Sequence, residues 1–249
     1  ANWMWPCKNE GEDARLYRAV EACSDFACSL GINIPTGKDS LSMTQKYGKD
    51  KVYSPGTVII SAGAEVSDIR KVVSPVLRTG VDSMVYYIDF SFDKLKLGGS
   101  AFAQSLDKIG KEVPSVQDSE YFANAFNAVQ ELINKELILA GHDISAGGMI
   151  TTMLEMNFAN TEGGLEVSLD EIPEKDLVKI LFSENPGILI QVEKTDEVEK
   201  ILKKAGVAFI RLARPCDERH LLIHKDGADY QFFIDHLRDV WFESSYLLD

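Results

Sequence analysis

The chain has 249 residues, long for one domain and comfortable for two, since domains centre on roughly 100 to 150 residues. Its 26 Lys and Arg against 39 Asp and Glu leave a formal net charge of −13, which argues against a generally basic nucleic-acid surface. An apolar fraction of 45% and a charged fraction of 26% belong to an ordinary globular chain and exclude a disordered or fibrous one.

The opening Ala1-Asn-Trp-Met-Trp-Pro6 is apolar but lacks the basic and cleavable apolar regions of a leader, so it reads as the edge of something folded. From Asp13 to Leu30, Leu16, Val20, Cys23, Ala27 and Leu30 recur at helical spacing, predicting an amphipathic helix with Cys23 toward a core. Glu12 and Asp13 suit its positive end and Gly31 its stop. Pro, Gly and hydroxyl residues in Ile32–Met43 preclude a continuous helix there and lead into strand-like sequence. A strand is expected over Val58–Val66 and a helical turn over Asp68–Val73, after which Ser74-Pro75 and Thr79-Gly80 break the pattern. The domain boundary is placed there, giving domains 1–75 and 76–249.

Beyond it the pattern predicts a strand at Met84–Phe90 and helices at Ser100–Ile109 and Asp118–Asn134, the second with an Asp118 cap and an apolar face of Phe122, Ala125, Val129 and Leu132. The short apolar run Leu137–Ala140 follows, then a helix after Gly148 with Ile150, Leu154 and Phe158 in register. A helix at Asp176–Phe182, a strand at Ile188–Val192, a helix at Glu197–Ala205, strands near Ala208–Leu212 and His220–His224, and a closing element rich in Phe, Leu and Trp complete the chain. Strands interleaved with helices of these lengths indicate an α+β, mixed α/β layered fold. The longest apolar runs, such as Thr57–Ala64 and Gly187–Val192, are far short of the ~20 residues that span a bilayer, so no membrane segment is expected. Cys7, Cys23, Cys28 and Cys216 form neither a disulfide framework nor a CxxC pair, which favours a reducing, cytoplasmic setting.

The segment richest in chemistry is Leu139-Ala-Gly-His-Asp-Ile-Ser-Ala-Gly-Gly-Met149. An apolar run, a polar turn and two glycines before a helix suit a metal-bound phosphate: Asp143 supplies an oxygen to Mg²⁺, while Ser145 and amides around Gly147 and Gly148 reach phosphate oxygens. The alternative is an Asx-turn in which Asp143 and Ser145 only cap the helix. Pro35-Thr-Gly-Lys-Asp-Ser40 is not a Walker A loop, because Lys38 is followed by Asp39. Lys38, Asp39 and Ser40 form either an anion or substrate loop or a plain exposed turn. Gly98 and Gly99 before Ser100 permit either approach to an anion or tight packing of a helix. No GxSxG, HExxH or GxGxxG motif is present.

Ala1-Asn-Trp-Met4, Gly11-Glu-Asp-Ala14, Ile34-Pro-Thr-Gly-Lys-Asp-Ser-Leu-Ser-Met43, Gly98-Gly-Ser-Ala101, Gly141-His-Asp-Ile-Ser-Ala-Gly-Gly148 and Leu181-Phe-Ser-Glu184, in this order, resemble the large single-chain phosphoribosylformylglycinamidine synthase family, within the aminoimidazole ribonucleotide synthetase-like superfamily. The resemblance implies a ligase of purine biosynthesis that uses ATP and ammonia from glutamine to convert formylglycinamide ribonucleotide to the amidine. It also implies that this chain is part of the second of two tandem synthetase halves: the end of its N-terminal subdomain, then its C-terminal α/β subdomain. The upstream half and a downstream glutaminase domain would lie in the same polypeptide. By the same resemblance Asp143 matches a Mg²⁺ ligand and Ser145 a nucleotide contact in a pocket holding ADP. The remaining metal ligands would come from upstream of Ala1, no catalytic residue lies here, and the fragment alone is expected to be inactive. Many relatives carry Asp where this chain has Ala146, which removes any hydrogen bond assigned to that position. Against a net charge of −13, an anionic nucleotide would be held by Mg²⁺, amides and local cations such as Lys38. The competing reading is a non-catalytic packing module whose loops are only turns.

Overall fold

The computed structural model describes residues 1–247, which divide into two compact units, Ala1–Ser67 and Asp68 onward. In the first unit, β1 (Asn2–Met4) pairs in parallel with β2 (Lys38–Ser40). Helix α1 (Glu12–Ser29) lies between them in sequence, and β3 (Thr44–Tyr47) and β4 (Asp50–Tyr53) form a hairpin. Strand β5 (Thr57–Ile59) closes the other edge of β1, antiparallel. Helix α1 ends as expected: Gly31 takes φ 68°, its amide donates to the Cys28 carbonyl, and the Ile32 amide donates to Ala27, the paired bonds of a Schellman stop. None of its residues is fully buried, and Val20 is 42% exposed. Strands of three residues provide too little surface to cover an 18-residue helix. The expected Val58–Val66 strand shortens to β5 because β1 pairs only with Thr57, Val58 and Ile59.

The second unit is a seven-stranded sheet with helices on both faces. In chain order come a 3-10 turn (Ile69–Lys71), β6 (Met84–Asp89), α2 (Ala101–Ser105), α3 (Ser119–Asn134), β7 (Ala140–Asp143), α4 (Gly148–Phe158) and β8 (Gly164–Ser168). Next are α5 (Leu177–Phe182), β9 (Gly187–Val192), α6 (Thr195–Lys204), β10 (Phe209–Cys216), β11 (His220–Lys225), β12 (Ala228–Phe233) and α7 (Ile234–Tyr246). The sheet order is β12-β11-β8-β10-β6-β9-β7, with only β11 and β8 parallel.

Strand alternation explains the two cores. Val85 and Tyr87 of β6 face a layer containing Met149, Met153 and Met156 of α4 and Ile180 of α5. Met84, Tyr86 and Ile88 face Ala125, Val129 and Leu132 of α3 and Val198 and Leu202 of α6. A central strand buried on both sides reads as an unbroken apolar run, which is why Met84–Ile88 gives no alternation in sequence. Three of the four anticipated residues on α3 are buried, and Phe122 meets Phe90 edge-on at 5.6 Å. Asp118 caps α3 by accepting the amides of Glu120 and Tyr121, and Asp176 caps α5 through Val178 and Lys179.

Residues 68–75, assigned from sequence to the first domain, lie within the second compact unit. Here the Gly141 amide donates to Ser74, Leu77 donates to Met156, and buried Gln191 binds the Arg78 backbone at both its amide and its carbonyl. The Pro and Gly breakers therefore lie on a connecting segment packed on the second unit, past the division between the two units at Ser67. Helix α2 also ends earlier than expected, at Ser105, because Asp107 adopts φ 54°. No described helix is long and apolar enough to cross a membrane.

Candidate functional site

Strand β7 places Asp143 at its last position, and the 144–147 turn leads into α4. Ile144 anchors this turn: its side chain is buried and its amide donates to the Gly187 carbonyl at 2.9 Å. Pinned there, the turn leaves Asp143, Ser145 and Ala146 exposed, the Asp143 side chain at 76%. The Asp143 carbonyl receives bonds from the Thr152 hydroxyl at 3.2 Å and from His142 Nδ1 at 2.8 Å. His142 Nδ1 lies 3.5 Å from the Asp143 carboxylate, and Nε2 lies 3.3 Å from Glu155. His142 thus sits between two acids at the exit of β7, a partnership that local sequence spacing did not show.

The two glycines at the start of α4 are required by geometry. Gly147 and Gly148 have φ 87° and 75°, and a Cβ on Gly148 would lie 2.7 Å from the Leu181 carbonyl oxygen. Their amides, however, are not free for phosphate as the sequence suggested. Gly147 donates to Glu184 Oε1 at 2.9 Å, and Gly148 donates to the Ser145 carbonyl at 3.0 Å. The same correction applies to the other glycine pair. Gly98 donates to the Glu112 carbonyl at 2.7 Å and Gly99 to the Ile109 carbonyl at 2.6 Å. A Cβ on Gly98 would fall 2.3 Å from that Glu112 oxygen, so tight packing against the 109–112 segment is what excludes a side chain there.

The link between α5 and β9 joins these loops. Ser183 and Asn185 are buried and bind the 91–96 segment: Lys96 N donates to both, and Asn185 Nδ2 donates to Ser91 Oγ and to the Lys94 carbonyl. Glu184, between them, accepts the Ala101 amide at 2.8 Å as well as that of Gly147. One carboxylate therefore connects the Gly98–Ser100 loop with the 143–147 turn. The Leu181-Phe-Ser-Glu184 motif contains this residue, but its partners are 83 and 37 positions away, beyond the reach of any local pattern.

Lys38, Asp39 and Ser40 belong to the other compact unit. They form strand β2 rather than a loop or turn, because their backbone pairs with β1 and Lys38 N donates to the Ala1 carbonyl. Lys38 Nζ donates to Ser40 Oγ, and both Lys38 and Asp39 are exposed.

The donor set fits Mg²⁺ only in part. Asp143 offers an accessible hard oxygen, the ligand type that Mg²⁺ takes while keeping several waters. Among the described residues, no group of three or more His, Cys, Asp or Glu is arranged to hold a metal. Among the described residues the site therefore offers one accessible carboxylate rather than a complete metal centre.

Residues 1–65 match the family described as FGAR-AT PurM_N-like domain, and residues 84–221 match AIR synthase related protein, C-terminal domain. A probable phosphoribosylformylglycinamidine synthase of Arabidopsis thaliana, chloroplastic/mitochondrial by name, is 38% identical over 253 residues, spanning 100% of this chain and 18% of the relative. The Homo sapiens phosphoribosylformylglycinamidine synthase is 34% identical over 255 residues, spanning 100% of this chain and 19% of the relative. The chain thus spans under a fifth of the length of these relatives. Among solved structures, T. maritima PurL complexed with ATP aligns with TM-score 0.63 and 13% identity, over 96% of this chain and 37% of that one. The E. coli hydrogenase maturation protein HypE aligns with TM-score 0.57 and 15% identity, over 93% and 71%. At such identities the structural likeness shows a shared fold. The chain belongs to the AIR synthase related family, whose C-terminal domain lies at residues 84–221, and over its whole length it is similar to one segment of phosphoribosylformylglycinamidine synthases.

Proposed function

We propose that this chain is a segment of a phosphoribosylformylglycinamidine synthase and carries part of a Mg-nucleotide site. The enzyme uses ATP and glutamine to convert formylglycinamide ribonucleotide to the amidine, releasing ADP and phosphate. The observation that carries the reading is the accessible Asp143 carboxylate, held at a strand end by a turn anchored through Ile144 and Glu184. The names of the curated relatives support the reaction, and the T. maritima PurL structures complexed with ATP, ADP or FGAR support the ligands.

In this reading Asp143 provides one oxygen to Mg²⁺ and Ser145 contacts the nucleotide from the adjoining exposed position. Bound Mg²⁺ would neutralise phosphate charge. That contribution matters here, because the amides of Gly98, Gly99, Gly147 and Gly148 are already committed within the protein. The Gly98–Ser100 loop then serves as a wall rather than a phosphate cradle. Lys38, Asp39 and Ser40 remain a proposed substrate-side strand of the first unit. The other ligands, the upstream synthetase half and the downstream glutaminase are contributed by the longer polypeptide. Four free cysteines favour a reducing compartment such as the cytoplasm, although the Arabidopsis relative is named for organelles.

The test is amidine formation from formylglycinamide ribonucleotide, ATP and glutamine. The longer protein is expected to turn over and the 249-residue chain alone is not. Full turnover by the isolated chain would overturn the assignment of this segment as an incomplete site, and absence of turnover by the longer protein would overturn the reaction. A packing module without nucleotide chemistry is separated by Mg-ADP titration of the longer protein and of its Asp143→Ala variant: binding at this site abolished by the substitution supports the nucleotide reading, and unchanged binding supports the packing module.

A further inference from the structure

We propose that Glu184 is a positioning residue for this site: its Oε1 atom fixes the start of α2 and the start of α4 to each other, so that the Gly98–Ser100 loop and the Asp143–Gly147 turn move as one unit. The proposal rests on the nucleotide reading above for its functional consequence, but its geometry is independent of that reading. Both bonds, 2.8 Å from Ala101 N and 2.9 Å from Gly147 N, lie in the range of charge-assisted hydrogen bonds.

Helix α4 needs such a partner. Its N-cap is Gly147, which has no side chain with which to accept an amide, whereas most helices place Ser, Thr, Asp or Asn there. Glu184 accepts the amide of the N-cap residue Gly147 itself, the bond that a capping-box Glu makes from within a helix, and its negative charge suits the positive end of α4. Its own backbone is held by its two neighbours. Ser183 and Asn185 are 3% and 1% exposed and grip the 91–96 segment through Lys96, Lys94 and Ser91. The helix cannot retreat or advance freely either, because Gly148 lies directly against the Leu181 and Phe182 backbone. Phe102 of α2 stacks on Phe182 of α5 at 4.6 Å, adding an apolar contact between these helices.

Two consequences follow. Glu184 takes up the helix-start amides that an anion would otherwise use, directing phosphate charge toward the Asp143 and Ser145 side of the turn. It also makes the orientation of Asp143 depend on a residue that the nucleotide need not touch.

Three variants of the longer protein test this, with Mg-ADP titration calorimetry as the binding readout and hydrogen exchange over 98–103 and 144–150 as the geometric one. Glu184→Ala removes the acceptor and is expected to weaken Mg-ADP binding by about 10–100-fold, the usual effect of losing a residue that orients a metal ligand. Exchange should rise in both segments together. Glu184→Gln keeps a carbonyl oxygen in place and is expected to restore both readouts, a rescue that loss of stability alone would not produce. Glu184→Asp keeps the charge but shortens the reach by a methylene, so it is expected to lose binding and protection even if Glu184→Ala fails to fold. Wild-type binding by folded Glu184→Ala or Glu184→Asp would overturn the proposal, as would a Glu184→Gln protein as defective as Glu184→Ala. If the unsubstituted longer protein binds no Mg-ADP, the nucleotide reading fails instead. The positioning role is then decided by exchange: a joint rise in both segments supports it, and no change refutes it.

Discussion

Gly148→Ala probes the packing that brings the two glycine loops together. Gly148 has φ 75°, and an added Cβ would lie 2.7 Å from the Leu181 oxygen, 2.7 Å from the Phe182 carbonyl carbon and 2.8 Å from its Cα. These are backbone atoms with no rotamer to yield. The left-handed backbone costs roughly 1–2 kcal/mol for a residue with a Cβ, and forcing a methyl into a filled space costs about 1–3 kcal/mol more. The expected destabilisation of the second unit is therefore roughly 2–5 kcal/mol. Gly206→Ala isolates the first contribution, because Gly206 has φ 69° with nothing within 4 Å of its Cβ position. Urea unfolding of both variants, read on the transition of the second unit, should show Gly148→Ala shifted well beyond Gly206→Ala. The surviving folded Gly148→Ala should also lose protection at Gly147, because α4 must back away from Glu184. Equal midpoints for the two variants would refute the close-packing argument.

The buried Glu199 gives a pH prediction. Its Oε1 accepts from Tyr86 Oη at 2.9 Å and Arg211 Nε at 2.7 Å, and its Oε2 accepts from Lys203 Nζ at 2.9 Å. Lys203 first, with Arg211 and Tyr86 after burial is overcome, holds the carboxyl down at about 2. Because the folded value is depressed, the stabilisation is complete above the ordinary value of 4.5 and is lost as pH falls toward 2. The amount is about 1–2 kcal/mol, reduced because Lys203 and Arg211 are 66% and 47% exposed. Thermal melts of wild type and Glu199→Gln should converge at the acid end of that window, and parallel curves would contradict the assignment. Tyr86, whose phenol is pushed up to about 12 by burial and then by Glu199, is expected to cost about 1 kcal/mol as Tyr86→Phe, and unchanged stability in the same melts would count against its hydrogen bond.

Much of the second unit was legible because its helices carry local signals. The α3 face at Ala125, Val129 and Leu132 and the Asp118 and Asp176 caps are set by residues within one or two turns of each other, as is the Gly31 stop of α1 in the first unit. Strands β1 to β4 were less legible, since segments of three or four residues are too short to display a period. Strand β12 is exposed at five of its six positions and lacks a buried face to mark it. In the site, Asp143, Ser145 and the paired glycines stood out as a turn before a helix. The commitment of the glycine amides did not, because Glu184, Glu112 and Ile109 reach them from other segments. A sequence window records the donors of a turn but not the distant acceptors that occupy them.

The most direct test is whether Asp143 holds a metal-bound nucleotide. Mg-ADP retained by the purified longer protein should be quantified for wild type and Asp143→Ala, alongside calorimetric titration of each. Loss of occupancy and a marked fall in affinity in Asp143→Ala, with unchanged melting, is the predicted result. Full ADP occupancy in that variant would contradict the account.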